Sequence, residues 1–412
     1  MGKKVELHVS TCRLYRILID CGMETLFMVI GFLLAAYAIV ANDSIQTLGT
    51  FLASNSKRPW WLLFAFAATV MVATILWGWF HGDATHGRLN KFPDFTEIHF
   101  NWTHLVAPAI LLALTRWGFP VSTSFLILLV FMGSALPGML TKTIIGYGVA
   151  LGLGLVIYLA ISRLFEQKWS QNPAIPGAGN GEANVPTVEG NLQLKAHEPA
   201  IGWVIAQWVS TAVLWSGWLT QDLANVFIYL PRPLDTSWLI GGLAWMVVIQ
   251  AFIFWSHGGA IQRVVLQKRN TVDIRSATLI DLLYGVILWY FKFYNSMPMS
   301  TTWVFIGLLA GREIGLRMMD RPNTAGVGFK LMALDLAKAG TGLAVSVLIA
   351  LGLPVINTAL QGSADLSALH NSFNQIAAAI SAVAVVVLPL YILRLREYEG
   401  LEPAEATATV QA

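Results

Sequence analysis

The stretch WWLLFAFAATVMVATILWGWF, residues 60–80, runs for 21 positions without a formal charge. A helix of about 20 such residues is as long as the roughly 30 Å hydrocarbon layer of a bilayer is thick. TIIGYGVALGLGLVIYLAIS (143–162), SWLIGGLAWMVVIQAFIFWS (237–256) and NSFNQIAAAISAVAVVVLPLYIL (371–393) repeat the pattern. Each predicts a helix that satisfies its backbone polar groups internally, which lipid demands of any spanning segment. Composition points the same way. Of 412 residues, 56% are hydrophobic and only 12% charged, against about a quarter charged in an ordinary globular domain. The mean hydropathy is +0.62. The expected fold is therefore an all-α polytopic membrane protein of about 10 to 12 helical segments, multi-pass in the cell membrane.

The same residues exclude several function classes. Lys and Arg number 26 against 23 Asp and Glu, a net charge of +3, so no basic field suits nucleic acid. Cys12 and Cys21 suggest neither a disulfide framework nor a zinc site. No P-loop, zinc motif or nucleophile–base arrangement appears, so neither catalysis nor a cofactor is expected. HGDATHGR (81–88) offers His81, Asp83 and His86, but the spacing fits a polar loop better than a zinc site. Asp281, inside ATLIDLLYGVILWYF, is harder to dismiss, because a carboxylate in apolar sequence is costly.

Residues 165–199 break the apolar text with a segment rich in Gly, Pro and Asn, which reads as a linker. It divides the chain into an N-terminal segment 1–22, a first membrane repeat 23–164, the linker 165–199, a second repeat 200–396 and a tail 397–412. The halves then invite comparison. PVSTSF (120–125) returns as PMSTTW (298–303), the prolines 178 residues apart. ANDSIQTLGTF (41–51) returns as TQDLANVFIYL (220–230), with Asp43 and Asp222 179 residues apart. Asp43 precedes Ser122 by 79 positions and Asp222 precedes Ser300 by 78. Two unlike motifs kept in order at one spacing indicate an internal duplication.

Alone, each Ser/Thr cluster is a helix cap behind a proline. Capping does not require a copy in the other half, whereas a transporter site built from matching polar interruptions does. The start of a helix exposes N–H groups and carries partial positive charge, so two facing starts with hydroxyl donors make a site for a small anion. Asp43 with Asn42, and Asp222 with Gln221 and Asn225, supply oxygens suited to a hard cation or a proton. The expected elements are broken helices near 40–45 and 217–225, and short re-entrant helices from 120 and 298.

At these residues the chain resembles the inorganic phosphate transporters of the PiT type. That family carries duplicated G-A-N-D-V-A-N-A-like and P-V-S-T-T-H-like segments. Ala41-Asn42-Asp43 and Gln221-Asp222-Leu223-Ala224-Asn225 are similar to the first. Pro120-Val121-Ser122-Thr123-Ser124 and Pro298-Met299-Ser300-Thr301-Thr302 are similar to the second. The resemblance covers roughly residues 25 to 395 and implies two repeats of inverted topology working as a symporter of phosphate, or in some members sulfate, with Na⁺ or H⁺. Carried over by position, it makes Ser122, Thr123, Ser124, Ser300, Thr301 and Thr302 the oxyanion ligands. It makes Asn42, Asp43, Asp222 and Asn225 the cation-binding or coupling residues, with no metal beyond transported Na⁺; Gln221, a departure from the motif, joins them as the polar neighbour of Asp222. The implied partners are inorganic phosphate or a related oxyanion and membrane lipid, with a homodimer left open and no nucleic acid. Val40 and Leu219 stand where the family has glycine, and Phe125 and Trp303 where it has histidine. These departures keep two alternatives open: a permease for sulfate or another oxyanion, and a non-transporting membrane receptor that kept the fold.

Overall fold

The computed structural model describes residues 2–116, 121–169, 200–256, 274–320 and 325–360. Among them every regular element is helical. The first half contains α1 (Gly2–Ser54), α2 (Trp60–Phe80), α3 (Thr103–Arg116), α4 (Thr123–Phe131) and α5 (Leu136–Trp169). The second contains α6 (Ile201–Asp222), α7 (Ala224–Phe227), α8 (Thr236–Trp255), α9 (Ile274–Tyr294), α10 (Thr301–Asp320) and α11 (Ala325–Leu360). Among the described residues, six segments are long and apolar enough to cross a membrane: Gly22–Asp43, Trp60–Phe80, Gly133–Ala160, Thr236–Trp255, Ala277–Tyr294 and Asp335–Asn357. The protein is a multi-pass, all-α membrane protein.

Local signals set the helix starts. Pro59 precedes α2 at φ −64°, a torsion its ring holds without further cost. Asp235 caps α8 by accepting from the backbone N–H groups of Ser237 and Trp238, which answers two orphan donors of the first turn. Those bonds, with one from the Ser237 hydroxyl, hold the Asp235 carboxyl below its ordinary range.

Polarity is arranged inside out. Trp61, Trp77, Val156, Ile240, Phe252 and Phe293 are exposed, whereas Asp43, Thr211, Asp222, Gln250 and Asp281 are fully buried. A chain surrounded by lipid gains nothing by hiding its apolar residues from hydrocarbon, so helix association rests on close packing and internal hydrogen bonds. Close packing is clearest between α5 and α10. A Cβ on Gly307 would lie 2.6 Å from the carbonyl oxygen of Tyr147, and one on Gly311 would overlap the carbonyl of Leu151. Only a residue without a side chain permits that approach.

The packing alternates between halves. Helix α1 runs along α3 as α6 runs along α9, α4 packs against α11 as α10 packs against α5, and α1 meets α8 as α6 meets α2. Thus the helix that follows the Ser/Thr helix in each half braces the Ser/Thr helix of the other.

Several expectations need correction. Helix α1 is continuous through residues 40–45, so the first broken helix is absent. It also begins at Gly2, so residues 2–22 are helical and continuous with the first repeat. Helix α5 extends to Trp169, five residues into the segment read as linker. The second interruption amounts to Leu223 alone, which separates α6 from α7 yet keeps right-handed helical torsions. Helix α4 has nine residues, about 13 Å, well short of a bilayer. Helix α10, by contrast, is 20 residues long and is not the short element expected. Pro120, residues 170–199, the apolar block 371–393 and the tail 397–412 lie outside the described residues.

Candidate functional site

Helix α4 starts at Thr123 with Ser122 as its cap residue, yet the Ser122 hydroxyl makes no capping bond. The next two hydroxyls reach across the fold. Thr123 Oγ1 donates to Asp43 Oδ2 of α1 at 3.0 Å, and Ser124 Oγ lies 2.9 Å from Asp222 Oδ1 at the end of α6. Asn225 Nδ2, one helical turn beyond Asp222, donates to that same oxygen at 2.9 Å and to Ser124 Oγ at 3.0 Å. Asn42 Nδ2 donates to Asp43 Oδ1 at 2.6 Å.

Helix α10 begins in the matching way. Ser300 does act as a cap, its Oγ accepting from the Trp303 N–H at 3.4 Å, while its own N–H donates to Thr143 Oγ1 of α5 at 3.0 Å. Tyr284 of α9 donates its hydroxyl to the Thr301 carbonyl at 2.9 Å. Two further contacts join the helix starts directly. Ser124 Oγ lies 3.3 Å from Met299 O, and Thr302 Oγ1 donates to Val121 O at 3.4 Å. Ser124 and Thr302 hold equivalent positions in PVSTSF and PMSTTW, as do Val121 and Met299. The contacts are therefore reciprocal, each copy of the motif reaching the carbonyl before the serine of the other. Capping accounts for Ser300; it accounts for neither of these.

All eleven sequence-predicted residues are buried, none more than 4% exposed. Asp43, Thr123, Ser124, Asp222 and Asn225 form one connected network. Gln221 turns partly away, its Nε2 donating to Leu288 O of α9 at 2.7 Å. Thr301 sits beside the Asp222 carboxylate as Thr123 sits beside Asp43; the Oδ2 of Asp222 nevertheless lacks a hydrogen bond of ordinary geometry. Four buried oxygens of the predicted set have no hydrogen-bond partner among the described residues: Ser122 Oγ, Gln221 Oε1, Asp222 Oδ2 and Asn225 Oδ1. Buried polar atoms are rarely left so. Three of the four are acceptors only, and such atoms are answered by a proton donor or a hard cation.

The remaining sequence candidates resolve differently. Asp83 serves its own loop, accepting from the Thr85 N–H at 2.7 Å and the Gly87 N–H at 2.6 Å. Among the described residues no group of three His, Cys, Asp or Glu could hold a metal ion. His86 Nε2 donates to Thr74 O of α2, 3.2 Å away. Burial, with the Lys292 ammonium adding to it, pushes its imidazole from 6.5 down to about 4. The unfolded chain then binds the proton first, so stability should fall as pH drops from 6.5 toward 4 and stay level above that window. Thermal melts in detergent across this range should show a shallower slope in His86→Gln than in the wild type; burial also pushes His104 down to about 4, and it keeps the remainder.

Asp281 is fully buried, accepting from Thr50 of α1 on one oxygen and, at 2.7 Å, from Thr211 of α6 on the other. Next to it Asn55 donates to Gln207 at 2.9 Å, and Gln207 donates to Ser54. This second polar cluster ties α1, α6 and α9 together. A cavity of about 460 Å³ lies elsewhere, between the loop after α2 and the connection from α7 to α8; Asp83, Asn90, Asp94, Phe227 and Arg232 are among its walls. None of the eleven predicted residues lines it.

Two residues near the network escaped the sequence reading. Arg88 closes HGDATHGR, and Lys142 stands immediately before the block 143–162. Both are buried, 1% and 2% exposed. A lone cation at the edge of an apolar block was the available signal, since such residues are rarely idle. Set against known protein families, curated proteins and solved structures, the chain matches none of the three.

Proposed function

We propose that this chain is a symporter of inorganic phosphate driven by Na⁺ or H⁺, working by alternating access between two repeats of inverted topology. The reciprocal contacts of Ser124 with Met299 O and Thr302 with Val121 O carry the reading, because they bring two helix starts from opposite halves to one buried point. Two such termini concentrate partial positive charge where an anion is favoured without arginine. Asp43 and Asp222 beside them favour a cation, and placing both ions together lowers the cost of burying either.

The hydrogen bonds suggest how coupling works. Thr123 and Ser124 now give their protons to the two aspartates. A cation or proton taken up by a carboxylate competes with those donors and leaves the hydroxyls for an oxyanion. The unpartnered oxygens of Asp222 and Asn225 are the natural first contacts for that cation. The alternating packing of the halves, α4 on α11 and α5 on α10, supports a rocking motion in which each half carries part of the other's site.

Uptake of labelled phosphate into proteoliposomes, with Na⁺ and proton gradients imposed separately, tests the reading. Accumulation should require one of the gradients, and excess sulfate should compete only weakly. Stronger uptake of sulfate would move the substrate to the runner-up oxyanion. Binding with no uptake of any oxyanion under either gradient would replace the transporter with a receptor.

A further inference from the structure

We propose that Arg88 and Lys142 form a docking site for a small oxyanion, phosphate or sulfate, at the foot of the loop that leads into α10. The inference rests on the oxyanion reading above and adds residues outside the duplicated motifs.

The two cations converge on the same two carbonyls. Arg88 Nη1 lies 2.8 Å from Asn295 O and 3.4 Å from Met297 O. Lys142 Nζ lies 3.0 Å from Asn295 O and 2.7 Å from Met297 O. The charges are thus separated by no more than two hydrogen-bond lengths. Neither donates to a carboxylate among the described residues. Buried cations are normally paired with an anion, because the interior does not replace their lost hydration. Two basic groups share neutral acceptors, and only Arg88 feels a carboxylate, Asp222, so the requirement is unmet at Lys142.

Donor capacity remains. Arg88 Nη2 is buried and has no hydrogen-bond partner among the described residues. A guanidinium carries five N–H donors and an ammonium three. The free Nη2 of the guanidinium beside an ammonium suits a tetrahedral oxyanion, whose oxygens take charge-assisted bonds.

Position links the pair to the central network. Arg88 Nε donates at 3.2 Å to Thr220 O in the last turn of α6, two residues before Asp222. Met297 immediately precedes PMSTTW. The guanidinium therefore bridges the helix end that carries Asp222 and the loop that delivers Ser300. Further basic residues surround the pair. Exposed Lys91 lies within electrostatic range of Lys142, and half-buried Lys292 within range of Arg88. Asp222 is the acidic side chain that acts on Arg88 in return. Cations graded from exposed to buried draw anions inward, and a negative solute at Arg88 and Lys142 would relieve their repulsion.

The competing explanation is a latch, with both side chains merely holding residues 295–297. A latch needs donors, and charge adds only repulsion to it. Binding of inorganic phosphate and of sulfate to the full-length protein in detergent, measured by calorimetry, separates the two. Lys142→Gln keeps a donor for a carbonyl and removes the charge; it should weaken binding tenfold or more, and Lys142→Arg should recover most of the loss. The double variant Lys91→Gln, Lys292→Gln touches only the periphery. It should weaken binding several-fold at low salt and not at high salt.

Unchanged affinity in a folded Lys142→Gln protein overturns the proposal, as does a lowered melting temperature with unchanged affinity. Should Lys142→Gln fail to fold, unchanged low-salt affinity in the peripheral double variant overturns it. Flux keeps the two readings apart. Lys142-dependent binding without uptake would end the transporter reading and leave this site standing. A wild-type protein that binds neither phosphate nor sulfate would end both.

Discussion

Asp222→Asn should fold and should fail to transport. The amide keeps the shape of the carboxylate, and its Oδ1 still accepts from Ser124 and Asn225. Its NH₂ falls where Oδ2 now has no hydrogen bond, so the stability loss is about 1–3 kcal/mol for one unsatisfied buried donor. The functional loss is larger. A unit charge about 4 Å from a bound cation contributes roughly 4 kcal/mol at an effective dielectric constant near 20, about a thousandfold in cation affinity. If the coupling ion is a proton, the amide cannot carry it at all. Proteoliposome flux should fall at least ~100-fold, with the melting temperature in detergent lowered by only a few degrees. Asp43→Asn is the less clean variant. Both Asp43 oxygens already accept, from Asn42 and Thr123, so its amide would set one donor against another. Wild-type flux in Asp222→Asn would remove Asp222 from the coupling mechanism.

The second large effect is structural. Gly311→Leu should yield little folded protein, and Gly311→Ala should already melt lower. A Cβ at Gly311 would overlap the Leu151 carbonyl and lie 2.8 Å from the Leu155 amide nitrogen. These are backbone atoms of α5, so relief requires the helices to part. Overpacking in a tight core typically costs about 1–3 kcal/mol, occasionally more, and a clash with backbone belongs at the upper end. Gly152 of α5 supplies the control, because a Cβ there meets nothing within 4 Å. Gly152→Ala should be neutral or stabilising by up to ~1 kcal/mol through its better helix propensity. Equal melting temperatures for Gly311→Ala and Gly152→Ala would mean that α5 and α10 do not meet as closely as described.

Part of the site was legible in the text of the chain. The two Pro-x-Ser-Thr motifs and the two aspartates could be chosen because each occurs twice at one spacing, and the fold joins them through Thr123, Ser124 and Thr302. The break expected at Asn42–Asp43 was not there. A helix tolerates a carboxylate in its interior when a neighbour answers it, and Asn42 and Thr123 do so from positions that polarity alone does not reveal. Gln221 was grouped with Asp222 because they are adjacent, yet consecutive helical residues diverge by about 100°, and its amide nitrogen faces α9. Arg88 and Lys142 were passed over because their acceptors are main-chain carbonyls, and any residue type supplies a carbonyl.

By itself the sequence determined the solvent, the all-helical class, most of the apolar segments and the duplicated polar motifs, because each follows from residues close along the chain. Tertiary structure alone decided which polar groups meet. A hydrogen bond acts over about 3 Å, while Ser124 and Asp222 stand 98 residues apart and Thr302 and Val121 181. Interactions that short, between partners that distant in the chain, leave their mark in the packing and not in local pattern.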